Sequence, residues 1–214
     1  MKRRTVLVFI GQQGSGKGTQ AMILADKYGF IVIAPGDLLR TEVAKKTPFG
    51  LELADIMAKG NLVPDESINR LIQEALARLS PQTSVVFDGF PRTVEQARYL
   101  DSLIEVSNAV QIDIPYEVSV KRISGRLTCP RGHNYNRFFL PPQKPGICNI
   151  DKLPLSSRPD DTQATVINRL AIYQHTTTKV LAYYRDQGKL IAITGNASVF
   201  AVSHEIKTKV LSQT

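Results

Sequence analysis

VLVFIGQQGSGKGTQ, residues 6–20, decides the fold of this 214-residue chain. A β-branched and aromatic run, Val6 to Ile10, stops at Gly11. A glycine-rich turn follows, Gly11-Gln12-Gln13-Gly14-Ser15-Gly16, and Lys17, Gly18 and Thr19 open a helical pattern. Strand, glycine-rich loop and helix in that order read as a phosphate-binding P-loop. Glycines let the backbone curl so that successive N–H groups point inward, and the helix N-terminus adds partial positive charge. Lys17 then lies along the β- and γ-phosphates of a nucleotide, and Thr19 offers a hydroxyl to its Mg²⁺. The usual pattern has Ser or Thr directly after the lysine; here Gly18 intervenes.

Outward from that loop, apolar β-rich runs recur at Thr5–Ile10, Phe30–Ile33, Ser84–Asp88, Ala109–Ile114 and Leu190–Thr194. Helical patterns lie between them, as a parallel sheet with crossover helices requires. Residues 64–79 set Ile68, Leu71, Ile72, Ala75, Leu76 and Leu79 on one face behind Pro64 and Asp65. Residues 161–187 do the same with Val166, Leu170, Tyr173, Val180, Leu181 and Tyr184, ending at Gly188. The fold expected is α/β, a five-stranded parallel sheet of P-loop NTPase type with helices on both faces. Two stretches interrupt it. Residues 34–63 read as a short helical excursion. Residues 126–158 hold five prolines, both cysteines, and six basic residues against one acidic, without helical period. Such a segment is functional or disordered, and Tyr135, Phe138, Phe139 and the cysteines favour a small folded insertion.

The net charge of +8 implies an acidic partner: nucleotide, nucleic acid or anionic membrane. Two cysteines in 214 residues argue against a disulfide framework and for a reducing, cytoplasmic setting. The start, MKRRTVLVFI, imitates a secretory signal, but its apolar run ends after Ile10 and no small-residue cleavage site follows. No stretch approaches the roughly 18 apolar residues of a membrane span. A soluble intracellular protein is expected.

Val85-Val86-Phe87-Asp88 is an apolar strand ending in a carboxylate, the position from which P-loop proteins hold Mg²⁺. Gly89-Phe90-Pro91-Arg92-Thr93 follows, with Gln96 one turn into a new helix. With GQQGSGKGTQ, GDLLR at 36–40, DGFPRT at 88–93, the GR pair at 125–126 and RPDD at 158–161, the chain resembles adenylate kinase, in the form with a long lid. The resemblance runs in order from about residue 5 to 200. It implies reversible phosphoryl transfer between MgATP and AMP, giving two ADP. It also implies a core of residues 1–33, 64–125 and 159–214, an AMP-binding subdomain at 34–63 and a lid at 126–158.

By resemblance, Lys17, Asp88, Arg92, Arg126, Arg158 and Arg169 form the catalytic set. ATP meets Gly14, Ser15, Gly16, Lys17, Gly18, Thr19, Arg122, Arg126, Asn134, Tyr135 and Ala197, with Asn196 near its base. AMP meets Pro35, Arg40, Asn61, Leu62, Val63, Gly89, Phe90, Pro91, Arg92, Gln96, Arg158 and Arg169. The residue types suit the chemistry: phosphoryl transfer is positioning plus charge stabilisation, and a guanidinium fork holds two phosphate oxygens while staying charged. Arg122 and Arg126 are four apart, so on a helix they share a face. No general base is required, because the AMP phosphate oxygen is already an anion. Asp160 and Asp161 read as Mg²⁺-water organisers and lid hinges, or Asp161 as a plain helix N-cap. Closure over the nucleotides excludes water as the competing nucleophile.

The chain departs from the family at three places. Gln13 stands for a usual loop proline. Ala34-Pro35-Gly36-Asp37 replaces Ser-Thr-Gly-Asp, so a hydroxyl near the AMP base is missing and weaker base discrimination or affinity is expected. The family's zinc-bearing lids carry Cys-x₂-Cys twice, or Asp last; here Cys129, Cys148 and Asp151 match and a cysteine is missing. His133 is the substitute, giving Cys129, His133, Cys148 and Asp151 as a zinc set, against two buried cysteines in a metal-free lid. His175 and His204 sit in helical patterns, exposed and without a role.

A nucleotide-controlled switch of the GTPase kind requires an Asn-Lys-x-Asp base-recognition box, which the chain lacks. A nucleic-acid-binding protein fits the charge, but no basic stripe carries interleaved stacking aromatics along a strand. Within the enzymes, the alternative is a related kinase with GTP as donor or another nucleoside monophosphate as acceptor. The expected partners are ATP and AMP, with no nucleic acid or membrane, in a monomer.

Overall fold

Alternation along one strand divides the interior in two. In β1 (Val6–Ile10), Val6, Val8 and Ile10 enter one buried cluster while Leu7 and Phe9 enter another, and all five are at most 2% exposed. A strand apolar on both faces has helices above and below it. The computed structural model describes residues 4–158 and 161–211 and fulfils that expectation. Around β1 the sheet takes in β2 (Ile31–Ile33), β3 (Val85–Asp88), β4 (Asn108–Asp113) and β7 (Leu190–Thr194), in the order β2-β3-β1-β4-β7 and parallel throughout. Leu190–Thr194 is the strand expected, and the other four are offset from the sequence expectation by a residue; Ser84 and Ser107 take the N–H groups of Thr5 and Val6 on their side-chain oxygens, at 3.1 and 3.0 Å.

One face is covered by α1 (Lys17–Tyr28) and α9 (Val199–Val210) through Ala21, Leu24, Val202, Ile206 and Val210. The other is covered by α4 (Asp65–Ala77), α5 (Val94–Leu103) and α8 (Thr178–Asp186) through Ile68, Leu71, Ile72, Ala97, Leu100, Val180 and Leu181. The excursion after β2 forms α2 (Pro35–Ala44) and α3 (Pro48–Ala58). Pro35 begins α2 at a position where a missing N–H costs nothing and its fixed φ suits the helix.

The long helix expected over 161–187 is interrupted. α7 (Gln163–Ile172) passes into a π-helical turn over Tyr173–Thr177 before α8 begins. No proline or glycine causes this. The hydroxyls of Thr176 and Thr178 donate to the carbonyls four residues back, Ile172 and Gln174, both at 2.7 Å, competing with the regular ladder. The six residues expected on its inner face are nonetheless buried. Thr162, not Asp161, caps α7, accepting the Thr165 N–H at 3.3 Å. Asp160 lies outside the described residues.

Arg122 and Arg126, which on a helix would share a face, do not share a helix. α6 (Tyr116–Ser124) ends at Gly125, and Arg126 opens β5 (Arg126–Thr128), paired antiparallel with β6 (Asn134–Asn136). The insertion at 126–158 is folded, with its own small core of Leu127, Cys129, Tyr135 and Cys148. Among the described residues, no helix is long and apolar enough to cross a membrane.

Candidate functional site

The carboxyl ends of β1 and β3 meet at the loop quoted first. In a parallel sheet this is where ligands sit. Phe9 lies opposite Asp88 in register, so the strand before the loop and the strand ending in a carboxylate deliver their chemistry side by side. Gly16 adopts φ +98° immediately before α1, a conformation an L side chain rarely takes. Gly18 answers a different constraint: a Cβ there would lie 2.9 Å from Asp88 Oδ2. The glycine between lysine and threonine therefore makes room for the carboxylate.

Lys17 folds back onto its own loop, its Nζ donating to the carbonyls of Gly11 at 2.7 Å and Gln12 at 3.0 Å. Burial pulls the Lys17 ammonium from 10.5 down to about 8, with Asp88 opposing and Arg92 and Arg126 adding repulsion. Burial likewise pushes the Asp88 carboxyl up, and Lys17 opposes it. Burial thus works against the charge on each group, and each group favours the charge on the other.

Six arginines converge on the same space. Arg92 donates through Nε to the Gly89 carbonyl at 2.9 Å, and burial, then the nearby Arg169, lowers its pKa. Arg158 is brought down to about 10 by burial, then by Arg126 and Arg40. Arg126 grips Asp161 bidentately through Nε at 2.7 Å and through Nη2, and Arg169 lies 3.7 Å from the same carboxylate. Arg40 pairs with Asp37, which also lies 4.0 Å from Arg158. Arg122 bonds the carbonyls of Gly14 at 3.3 Å and Gly195 at 3.0 Å while stacking on Phe139 at 5.3 Å. Mutually repelling guanidiniums held together in low dielectric constitute a site for a polyanion.

They line one cavity of about 470 Å³. All but one of the nucleotide-contact residues expected from the sequence lie on its wall, from Gly14–Thr19 through Pro35, Asn61–Val63 and Gly89–Arg92 to Ala197. Asn196 does not; it is exposed. Tyr135 reaches the wall, but its hydroxyl is engaged within the insertion, accepting the Asn149 N–H at 2.8 Å. Gln96 is 2% exposed, with Oε1 accepting the Arg92 N–H at 2.8 Å and Nε2 donating to Asp65 at 2.6 Å. Gln13, at the loop position where proline is usual, donates through Nε2 to Asp161 at 3.2 Å. Phe139, Tyr173 and Thr177 also line the cavity and were not expected from sequence. Phe139 carried only the signal of an aromatic among basic residues, and the other two depend on the π-helical turn. His175 and His204 are exposed, the latter stacked on Phe200.

In the insertion, Cys129, His133, Cys148 and Asp151 bring one ligand atom each to within 4.8 Å of one another. Asp151 Oδ2 lies 2.9 Å from Cys129 Sγ and 2.6 Å from His133 Nδ1, and Cys148 Sγ lies 3.8 Å from His133 Nδ1. Zinc bonds of about 2.0–2.3 Å in a tetrahedron separate ligand atoms by roughly 3.3–3.8 Å. The donor set is one that zinc takes, and Cys148 Sγ and His133 Nδ1 stand at that spacing, while Asp151 Oδ2 lies nearer to Cys129 and His133, at hydrogen-bonding distance. Burial pushes the Cys129 thiol up to about 11, helped by its bond to Asp151.

A sequence model of the family described as Adenylate kinase matches residues 9–189. The chain is 36% identical over 209 residues to the adenylate kinase of Hydrogenobaculum sp., covering 95% of this chain and 99% of that protein. It is 37% identical over 206 residues to the adenylate kinase of Methanosarcina barkeri and 38% over 206 to that of Kosmotoga olearia, covering 94% of this chain and 96% of either relative. A P-loop facing the half-buried carboxylate of Asp88, six guanidiniums around one cavity, and near-complete alignment with these relatives lead to one assignment. The chain belongs to the adenylate kinase family, enzymes that move a phosphoryl group reversibly between MgATP and AMP.

Proposed function

We propose that this cavity holds MgATP and AMP end to end, with the arginines around the phosphate that moves between them. The observation that carries this reading is the convergence of Lys17, Asp88 and the six arginines on one space. Lys17 and the amides of Gly14 to Thr19 hold the β- and γ-phosphates, joined by Arg122 and Arg126. Arg40, Arg92, Arg158 and Arg169 hold the acceptor phosphate and stabilise charge on the transferring group. Asp88 and the Thr19 hydroxyl organise the metal that arrives with ATP, which neutralises charge on the β and γ oxygens. Pro35, Asn61, Leu62, Val63, Phe90 and Gln96 enclose the acceptor nucleoside, and Ala197 and Asn134 border the donor.

Residues 126–158 act as a lid and residues 34–63 as the acceptor flap, closing over a core of 1–33, 64–125 and 159–214. Arg126 and Arg158 stand at the two ends of the lid, so closure completes the arginine set and removes water. Zinc on Cys129, His133, Cys148 and Asp151 clamps the lid as a structural ion. The enzyme works as a cytoplasmic monomer. A coupled assay of ADP formation with donor and acceptor varied tests this: ATP with AMP is expected to be the best pair. A preference for UMP as acceptor overturns the assignment.

A further inference from the structure

We infer that Asp65 is a positioning residue that makes the acceptor site adenine-selective by holding Gln96 in one amide orientation. The inference rests on the reading above that Gln96 meets the acceptor base. Gln96 accepts the Arg92 N–H on Oε1 at 2.8 Å and donates through Nε2 to Asp65 Oδ1 at 2.6 Å. Asp65 Oδ2 receives the Thr93 hydroxyl at 3.3 Å, which steadies the carboxylate. A main-chain N–H only donates and an ionised carboxylate only accepts. Turning the amide over would set N–H against N–H and oxygen against oxygen, so the two partners together select one orientation.

An amide carries two N–H donors and two oxygen lone pairs. These two bonds leave one donor and one acceptor for a ligand. A 6-aminopurine offers a ring-nitrogen acceptor beside an amino donor; a 6-oxopurine offers a ring N–H beside a carbonyl acceptor. The held amide complements the first and opposes the second, whereas a freely turning amide serves both. Pro35 lines the same cavity with neither N–H nor hydroxyl to add a second base-reading group. Gln96 and what fixes it therefore carry base reading that Pro35 cannot supply.

The test is steady-state kinetics with AMP and IMP as acceptors and saturating MgATP. IMP carries the 6-oxo edge without a 2-amino group, so bulk is not at issue. In Asp65→Asn either the oxygen or the amino group of the new amide can face Gln96. The AMP:IMP ratio of kcat/KM is expected to fall about tenfold or more, mainly through a lower KM for IMP. Asp65 also begins α4, so Asp65→Ser, whose hydroxyl donates or accepts, serves as a second variant with the same expected fall. A merely structural role lowers both acceptors together; an unchanged ratio in both variants overturns the inference. Gln96→Leu separates the two levels. A lost ratio there beside a parental ratio in the Asp65 variants leaves Gln96 as the reader and removes the lock. A parental AMP KM and ratio in Gln96→Leu removes both.

Discussion

Lys17→Met should make the nucleotide-free protein gain stability relative to the parent at neutral pH, and lose that advantage as the pH rises. The Lys17 ammonium is held in its loop at a pKa of about 8 instead of 10.5, chiefly by burial. Because the folded value lies below the unfolded one, the unfolded chain binds the extra proton between pH 8 and 10.5. Parent stability therefore rises with pH through that window, and the cost of the buried charge is fully present below pH 8. At about 1.36 kcal/mol per pH unit, the drop corresponds to about 3 kcal/mol. Methionine keeps the apolar stem and removes the charge. The lost bonds to the carbonyls of Gly11 and Gln12 offset the gain by an amount that varies little with pH. The difference between variant and parent should thus fall by about 3 kcal/mol from pH 7 to 10.5. Urea denaturation of both proteins across that range measures it, and tyrosine titrations common to both cancel. A difference flat to within about 0.5 kcal/mol would refute the reasoning that the loop holds a desolvated cation awaiting phosphate. Phosphoryl transfer by the variant should meanwhile drop by roughly 10²–10³ or more.

Gly18→Ala sets a Cβ 2.9 Å from Asp88 Oδ2. The carboxylate must shift, and kcat should fall with a raised Mg²⁺ requirement in a metal titration. Arg126→Ala should lower kcat by roughly 10³ or more; Arg126→Lys should not rescue it, since one ammonium cannot reproduce the bidentate grip on Asp161. Purified protein should carry one zinc per chain by metal analysis, and its removal by chelator should lower the melting temperature. Zinc well below one per chain counts against the lid ion.

Local chemistry was legible in the sequence because it depends on local geometry. Val6–Ile10 is apolar at every position, so a strand buried on both faces was readable, and the glycines before Lys17 required a curled loop. The inner face of the 161–187 segment was readable from spacing alone, and its residues are buried. Its π-helical turn was not, because threonine hydroxyls decide it only when they meet carbonyls of the preceding turn. The spacing of Arg122 and Arg126 puts them on one face only if a helix runs through both, and spacing cannot show that Gly125 ends it.

Distances across the chain belong to the tertiary structure. Gly18 could be seen to break the common lysine–threonine pattern, but only parallel pairing of β1 with β3 places Asp88 against it. Asp161 could be named without knowing that Arg126, Arg169 and Gln13 would all turn to it. The strand-loop-helix and the α/β class can be read from residue order alone, because they follow from backbone propensity and period. The meeting of Asp65 with Gln96, 31 residues apart, was decided only when α4 and α5 packed on the same face of the sheet, since hydrogen bonding acts over a few ångströms and the chain must first be folded to bring such groups that close.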